Sequence, residues 1–361
     1  MRWATAGVMS LATVCVACSG TGPAGEVFTI AGGPESGDVD GVGREARFHG
    51  PVDLALAEDG TIYVVDAFNH RIRHVAPDGT TTTLAGGEQG FRDGPVGDAR
   101  FSVPAALLIL DGTLLIADSG NHSIRQLDLG SREVTVFAGG RDEAGFVDGR
   151  LEEARFNLPY GLALDAERGQ LWVVDKGNNA IRQIDLGAGE VRTIAGGAGG
   201  GTTDGTGIEA RFNSPSGIAI DGSGGAYVCD TANSIIRHVD GSGVVRTAAG
   251  SALRTGSADG PPDRARLNRP WGIARVGDGF VFSEQWNNTL RRFVPDVHVR
   301  WLAGRAWDGG IASERNRPTP HDGPADEARL SYPTGVAMGA TGEILFVDQE
   351  AVRGLRGWEA D

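Results

Sequence analysis

One motif recurs six times along the chain and limits its fold more than any other feature. An Asp-Gly pair is followed by Ala-Arg-Phe or Ala-Arg-Leu, and a proline lies eleven residues after the aspartate. Successive copies are 53, 55, 56, 55 and 63 residues apart. Helical solenoid repeats are shorter, at roughly 33 to 47 residues, whereas a propeller blade with an enlarged loop has this length. The six aspartates are Asp40, Asp93, Asp148, Asp204, Asp259 and Asp322.

Each repeat contains four short segments with the composition of β-strands, which we name a to d. Strand a is a small apolar run after the proline, and strand b is rich in β-branched and aromatic residues and ends in an acid. Strand c carries an arginine, and strand d ends in Ala-Gly. Glycine accounts for 57 of 361 residues, which suits turns and strands better than helices. The acids that end strand b are Asp66, Asp118, Asp175, Asp230, Glu284 and Asp348.

The number of strands indicates how the repeats close on themselves. Only five copies of strand d follow a strand c, and the sixth copy, Val27–Gly33, lies at the beginning of the chain. A strand there would complete the last blade and leave no unpaired edge. The sequence therefore predicts an all-β fold, a six-bladed propeller of four-stranded blades over residues 27–361, closed by its N-terminal strand.

The repeats resemble NHL repeats, which are named for Asn-His-Leu. The resemblance rests on strand b ending in an acid, on Asn69-His70 and Asn121-His122, and on the Ile-Arg that follows, and it covers residues 27–356. It implies a six-bladed propeller whose known roles include protein binding, RNA binding, sensing outside the cell and, in related propellers, metal-dependent lyase or lactone hydrolase activity. Because the chain has a net charge of −14, nucleic acid is not expected as a partner.

The first residues predict export. Residues 1–17 have the apolar stretch of a signal peptide, which is too short to span a membrane. The following Cys18-Ser19 resembles the lipobox of bacterial lipoproteins, which implies acylation of Cys18 and a tether over residues 18–26. A serine after the cysteine, as at Ser19, resembles the pattern of lipoproteins sorted to an outer membrane, if the source has one. Cys15 stands where that pattern usually has leucine, so cleavage after Ala17 without lipid stays open.

Residues that recur in every blade are expected to be structural, because a catalytic residue is needed only once. The arginines of the Ala-Arg motif should bond carbonyls or an aspartate in the loop from strand d to the next strand a. The aromatic or leucine side chains after them should fill the gaps between blades, and strand b acids should pair with strand c arginines. His70 and His122 are expected to be turn residues, and Cys229 an inert buried thiol.

The candidate recognition residues lie where the blades differ. In a propeller, the loops that join d to a and b to c surround one mouth of the central channel, and these loops vary most here. For each candidate residue, the alternative that it lies in a variable surface loop with no ligand stays open. The insertion within residues 305–321 has two interpretations, a partner contact or a tolerated loop. The expected ligand-binding or partner-binding residues are Asp53, Tyr160, Lys176, Trp271, Gln285 and Trp286.

These observations favour an exported, lipid-anchored binding or scaffold module without catalytic residues, whose partner is a protein or another envelope ligand. The alternative is a metal-dependent propeller enzyme, a lyase or lactone hydrolase, with a site at the central channel. A sensor domain for an envelope complex is a third hypothesis. No cofactor is predicted, and a divalent Ca²⁺ or Zn²⁺ ion remains open, although no EF-hand or zinc-finger spacing is present.

Overall fold

Six β-sheets surround a central channel in the computed structural model, which describes residues 24–252, 254–305 and 318–359. Each sheet is one blade, and its strand a lies innermost. Neighbouring strands a contact one another from blade 1 through blade 6 and back to blade 1. The predicted six-bladed propeller is confirmed. Within the described ranges, no helix has the length and apolarity to cross a membrane.

The four predicted strands are present in every blade. Strands a are Pro51–Leu56, Ala106–Leu110, Pro159–Asp165, Ile218–Ile220, Pro270–Val276 and Pro333–Met338. Strands b are Ile62–Asp66, Thr113–Asp118, Gln170–Asp175, Ala226–Asp230, Gly279–Glu284 and Ile344–Asp348. Strands c are Arg71–Val75, Ser123–Asp128, Ala180–Asp185, Ile235–Val239, Thr289–Val294 and Ala351–Arg356. Strands d are Thr80–Gly86, Glu133–Ala138, Glu190–Gly196, Val244–Gly250, His298–Ala303 and, in blade 6, Glu26–Gly32.

The N-terminal strand closes the ring. Strand Glu26–Gly32 pairs antiparallel with strand c of blade 6, with Val27 opposite Leu355. Val27 is fully buried, so closure hides apolar surface as well as a strand edge. The strand begins at Glu26, one residue before the predicted start of the propeller.

Five blades add a fifth strand of two residues that the sequence did not predict. These strands begin at the glycine of the Asp-Gly motif and pair with the outer edge of strand d. In blade 1, Asp40 accepts hydrogen bonds from the backbone and hydroxyl of Thr83, at 3.2 and 3.1 Å, and so fixes the linker against that edge. The fifth strands are Gly41–Val42, Gly94–Pro95, Gly149–Arg150, Gly205–Thr206 and Gly323–Pro324.

A buried arginine links three parts of each blade. Arg73 donates to Asp66 at the end of strand b (2.8 Å) and to Asp40 in the linker (2.7 Å), and it also donates to the carbonyls of Val39 and Arg47. The predicted pairing of strand b acids with strand c arginines is therefore confirmed. All six arginines make the same two acid contacts: Arg73, Arg125, Arg182, Arg237, Arg291 and Arg353.

The arginines of the Ala-Arg motif act more locally. Arg155 donates to the carbonyls of Glu152, Glu153 and Ala154, as predicted, but its acidic partner is Glu143 rather than an aspartate. The motif aspartate of this blade, Asp148, pairs with the strand c arginine Arg182 instead.

Each hydrophobic core lies between two blades, and the residue after the motif arginine occupies its centre. Phe101, for example, is fully buried among residues of blades 1 and 2, including Ile72 and Leu114. The predicted packing between blades is confirmed for all six positions: Phe48, Phe101, Phe156, Phe212, Leu267 and Leu330.

A second recurring contact joins one blade to the next, and we call it the interblade latch. The side chain that ends the short turn between strands b and c accepts a hydrogen bond from the backbone N–H just before the next blade's proline. His70 Nδ1 accepts from Val103 (3.0 Å), and Asn179 Oδ1 accepts from Ser214 (2.7 Å). The latch acceptors in the first five blades are His70, His122, Asn179, Ser234 and Asn288.

The latch explains the histidines of the NHL motif. Burial and then the nearby His49 lower the pKa of His70, which favours the neutral ring that Nδ1 needs to accept a hydrogen bond. His70 has a φ of 54° and Val103 a φ of 44°, so both partners have the left-handed backbone that side chains usually avoid. The prediction that His70 is a turn residue is confirmed, and it also holds the neighbouring blade.

Candidate binding site at the channel mouth

The central channel is narrow and largely aliphatic. It encloses a cavity of about 310 Å³, and strands a supply lining residues such as Leu54, Leu107, Ile218 and Ile273. Its upper rim is formed where strands a begin, beside the ends of strands b. The variable positions after each proline form this rim.

Close packing of backbone narrows the rim. Gly217 donates its N–H to the carbonyl of Trp271 (2.8 Å), and a Cβ at Gly217 would lie only 2.3 Å from that oxygen. A Cβ at Gly272 would lie 2.3 Å from the carbonyl oxygen of Thr334. Any larger residue in the same position must therefore displace backbone.

Asp53 stands where four blades have this glycine. Its Oδ2 accepts a hydrogen bond from the backbone of Leu107 in blade 2 (3.2 Å), and the carboxyl is half-buried at the channel wall. Burial raises the pKa of Asp53 to about 7, and the backbone hydrogen bonds from Leu107 and Leu54 offset only part of that effect. At neutral pH this carboxyl is divided between its charged and neutral forms.

Across the mouth, two aromatic rings and a lysine are in contact. The rings of Tyr160 and Trp271 meet edge to face with centroids 5.5 Å apart. Lys176 places its Nζ 4.0 Å from the Tyr160 centroid and 4.3 Å from the Trp271 centroid, which is the geometry of a double cation–π contact. Tyr160 belongs to blade 3 and Trp271 to blade 5, and Ser216, the rim residue of blade 4 between them, is small and fully buried.

A second cation lies beside this group. The guanidinium of Arg269 stacks over the ring of Trp286 at 4.6 Å. Burial, and then the positive charge of Arg269, lowers the pKa of Lys176 to about 8. Among the described residues, neither Lys176 nor Arg269 has an acidic side chain within 4 Å. We call Tyr160, Lys176, Arg269, Trp271 and Trp286 the mouth cluster.

The structure brings some of the predicted residues together and separates others. Tyr160, Lys176 and Trp271 are in direct contact, and Trp286 joins them through Arg269. Gln285 is almost fully buried, and its backbone N–H donates to the carbonyl of Arg269 (3.2 Å). Asp53 lies in blade 1, apart from the cations. It faces Tyr160, whose hydroxyl pKa is raised by burial and further by the Asp53 charge.

Sequence reasoning missed Arg269, although a signal was present. Arg269 directly precedes the recurrent proline, where the other blades have Gly50, Val103, Leu158, Ser214 and Tyr332. The candidate rim residues were those that follow the proline, so Arg269, the one charged residue directly before it, was not among them.

The described residues contain no group of three or more His, Cys, Asp or Glu side chains that could hold a metal ion. Burial raises the pKa of the Cys229 thiol well above its usual range, in agreement with the expected inert thiol. The signal peptide, Cys18 and most of the 305–321 insertion lie outside the described residues.

Comparisons with known proteins agree with the repeat pattern. NHL repeat-containing protein 2 of Gallus gallus is 29% identical over 314 residues, covering 77% of this chain and 43% of the relative. Protein SUPPRESSOR OF QUENCHING 1, chloroplastic, of Arabidopsis thaliana is 28% identical over 285 residues, covering 74% of this chain and 27% of the relative. The chain is a six-bladed propeller whose repeats are similar to those of NHL repeat-containing proteins. It spans less than half the length of these two relatives, and no family model matches it.

Solved structures support the propeller fold at low sequence identity. An auxiliary nutrient binding protein from Bacteroides thetaiotaomicron superposes with a TM-score of 0.70 at 15% identity, covering 94% of this chain and 78% of that chain. A streptogramin B lyase superposes with a TM-score of 0.53 at 15% identity, covering 92% of this chain and 98% of that chain. At these identities the likeness concerns the fold alone.

Proposed function

We propose that the propeller is a noncatalytic binding module that recognises its ligand or partner at the mouth cluster. The observation that carries this proposal is the contrast between repeated and unrepeated side chains. The repeated charges satisfy one another inside each blade, as Arg73 does with Asp66 and Asp40. The charges of Lys176 and Arg269 occur in one blade each and have no such partner among the described residues.

The chemistry of the cluster suits binding. Large, rigid aromatic side chains supply contact area at a small cost in conformational entropy, and three of them are half-buried here, so each keeps a face or edge open. The cluster lies above an aliphatic channel, and ligand sites in proteins typically combine such concave apolar surfaces with a few polar groups. The nutrient-binding protein with the same fold is consistent with this function.

Ligand screening tests the proposal directly. Protein starting at Gly20 should give shifted melting temperatures with members of a soluble small-molecule and peptide library. The double variant Tyr160→Ala/Trp271→Ala should lose those shifts, whereas Phe68→Ala, which removes an exposed aromatic ring outside the cluster, should keep them. Hits that bind the double variant as well as the wild type would place recognition elsewhere.

We also propose export and anchoring through Cys18, on the strength of the signal-peptide-like residues 1–17 and the Cys18-Ser19 pair. In a bacterial host fed an alkynyl fatty acid, the full chain should incorporate the label and fractionate with membranes. Cys18→Ala should lose both properties. A wild-type chain that is cleaved after Ala17 and released without label would support the unlipidated alternative.

The metal-dependent enzyme remains the second hypothesis, and elemental analysis separates it from the first. Protein purified without chelator or affinity-tag metal should contain less than a stoichiometric amount of Zn²⁺ or Ca²⁺ if the propeller only binds. One tightly held ion per chain would favour the enzyme and direct mutagenesis to Asp53, the acid that lines the channel.

A further inference from the structure

The mouth cluster holds two positive charges, and none of the described residues places an acidic side chain within 4 Å of either. Burial, and then the charge of Arg269, lowers the pKa of Lys176, so holding both cations here costs free energy. This cost is unexpected in a protein with a net charge of −14, where most buried arginines have acidic partners. Local arrangements that break the pattern of the rest of a fold are typical of functional sites.

The two cations also differ from every other blade. Lys176 is the only lysine in the sequence, and the corresponding residues are Ala67, Ser119, Thr231, Gln285 and Gln349. Arg269 is the only charged residue among the six that directly precede the recurrent proline. Neither is needed to build a blade, because the other five fold without them.

The surrounding contacts hold both cations in place. The rings of Tyr160 and Trp271 fix the Lys176 ammonium, and the ring of Trp286 fixes the Arg269 guanidinium. Arg269 has a φ of 53°, and its backbone N–H is held by Ser234 through the interblade latch (3.2 Å). A ring face attracts a cation electrostatically and does not use up all of its N–H donors. The ammonium of Lys176 and the guanidinium of Arg269 can therefore still donate hydrogen bonds to a ligand.

Buried polar atoms at the rim also lack partners. The Oε1 of Gln285, whose backbone donates to Arg269, and the hydroxyl of Thr334 at the blade 6 rim make no hydrogen bond among the described residues. Gln285 and Thr334 are each less than 5% exposed, so leaving these atoms unsatisfied is costly. A bound polar molecule, or the water that it displaces, would satisfy them.

We propose that the mouth cluster binds a small organic anion, a carboxylate or phosphate monoester, between Lys176 and Arg269, with its remaining atoms against the rings of Tyr160, Trp271 and Trp286. This proposal rests on the proposed binding function and names its ligand class. The anion neutralises the repulsion between the two cations, and Arg269 supplies the paired N–H groups that suit carboxylate and phosphate oxygens.

The test uses phenyl phosphate and benzoate as anionic probes and benzyl alcohol as a neutral probe of similar size. Isothermal titration should detect binding of at least one anion to the wild type. Lys176→Met and Arg269→Gln should each weaken that binding at least tenfold, and Lys176→Arg should restore most of it. Arg246→Gln, which removes an exposed arginine on strand d of blade 4, serves as the control and should bind as the wild type does.

The single lysine provides an independent readout. The rate of Lys176 acetylation by acetic anhydride, followed by mass spectrometry across pH, reports the fraction of neutral amine. A saturating anion bound tenfold more tightly to the protonated amine should shift this profile upward by about one pH unit. Benzyl alcohol should not shift it.

Each outcome separates this inference from the binding function. If benzyl alcohol binds and Tyr160→Ala/Trp271→Ala abolishes that binding while the charge variants do not, the binding module stands and the anion is wrong. If neither anion binds at millimolar concentration, or if both bind the charge variants as well as the wild type, the anion proposal is overturned. If no probe or library member depends on the cluster, both proposals fail.

Discussion

Each blade contains one buried arginine network that joins strands b and c to the linker, which we call a junction, and the junctions and the channel mouth use the same kinds of side chain in opposite ways. At a junction, a buried arginine such as Arg182 contacts two aspartates and two carbonyls, and its environment recurs six times. At the mouth, Lys176 and Arg269 occur once each and face aromatic rings instead of acids. The comparison teaches that the charges recurring in every blade are balanced by acids, whereas these two cations are held against aromatic rings.

The comparison extends to the carboxylates. Asp175, at a junction, is held by Arg182, Asn178 and the backbone of Asn157. Among the described residues, Asp53 at the rim has backbone donors and no arginine. Burial raises the pKa of both carboxyls, to about 7 at Asp53, but only Asp175 has a charged partner beside it.

The largest expected effect comes from breaking one junction. Arg182→Leu leaves the fully buried Asp175 without its cation, and loss of one partner from a buried ion pair costs about 3–5 kcal/mol. Urea unfolding should show this loss. Arg150→Ala removes a surface ion pair to Glu152, with both side chains about two-thirds exposed, and should change stability by less than about 0.5 kcal/mol.

Equal effects of these two variants would contradict the division between repeated structural charges and the rest. Anion binding offers a second check with Arg73→Leu, which breaks the same network in blade 1, because every residue of the mouth cluster belongs to blade 3 or blade 5. At temperatures where Arg73→Leu remains folded, it should bind the probes as tightly as the wild type.

The interblade latch should give an intermediate effect. His70→Leu leaves the backbone N–H of Val103 without an acceptor and is expected to lower the unfolding free energy by about 1–2 kcal/mol. His70→Asn should cost much less, because Asn179 makes the same contact in blade 3 with a similar φ of 50°. Asparagine also tolerates left-handed backbone better than leucine does.

Thermal or chemical unfolding of the two His70 variants distinguishes a latch from simple packing. Indistinguishable losses for leucine and asparagine would mean that the hydrogen bond contributes nothing and that the ring packs against its neighbours. Since the imidazole must be neutral to accept, the wild type should also lose this contribution as pH falls through the lowered pKa of His70, and His70→Asn should not.

The repeats predicted the fold because each structural device was present several times in the sequence. The acid that ends strand b and the arginine of strand c were paired correctly from spacing alone, and the strand count predicted closure by Val27–Gly33. The two-residue fifth strands were missed because two residues carry no periodic pattern. The latch was missed because its acceptors are His, Asn and Ser, which share a hydrogen-bonding role and no single residue type.

The site was harder to predict because its parts come together only across the ring. Variation between blades identified Tyr160, Lys176, Trp271 and Trp286, but sequence spacing does not show that blades 3 and 5 meet above the small Ser216. Nor could it separate Asp53 from the cations. The charge imbalance of the mouth cluster is a property of the folded ring and is visible only after Arg269 has been placed.

The smallest expected effect comes from Asp53→Asn, which tests whether the channel rim carries a carboxylate without a cationic partner. The pKa of Asp53 is raised from 3.8 to about 7, so the folded state binds its proton more tightly than the unfolded state does. Between about pH 4 and pH 7 the wild type should therefore lose stability relative to Asp53→Asn as pH rises, and the difference should be constant above that range. Allowing for solvent in the channel, we expect a change of about 1 kcal/mol.

Other buried acids, such as Asp118, are common to both proteins and cancel in the comparison. Parallel stability curves for the two proteins from pH 4 to pH 8 would show that the charged Asp53 carboxylate costs the folded state no free energy. The contrast between the two regions would then rest on the cations alone.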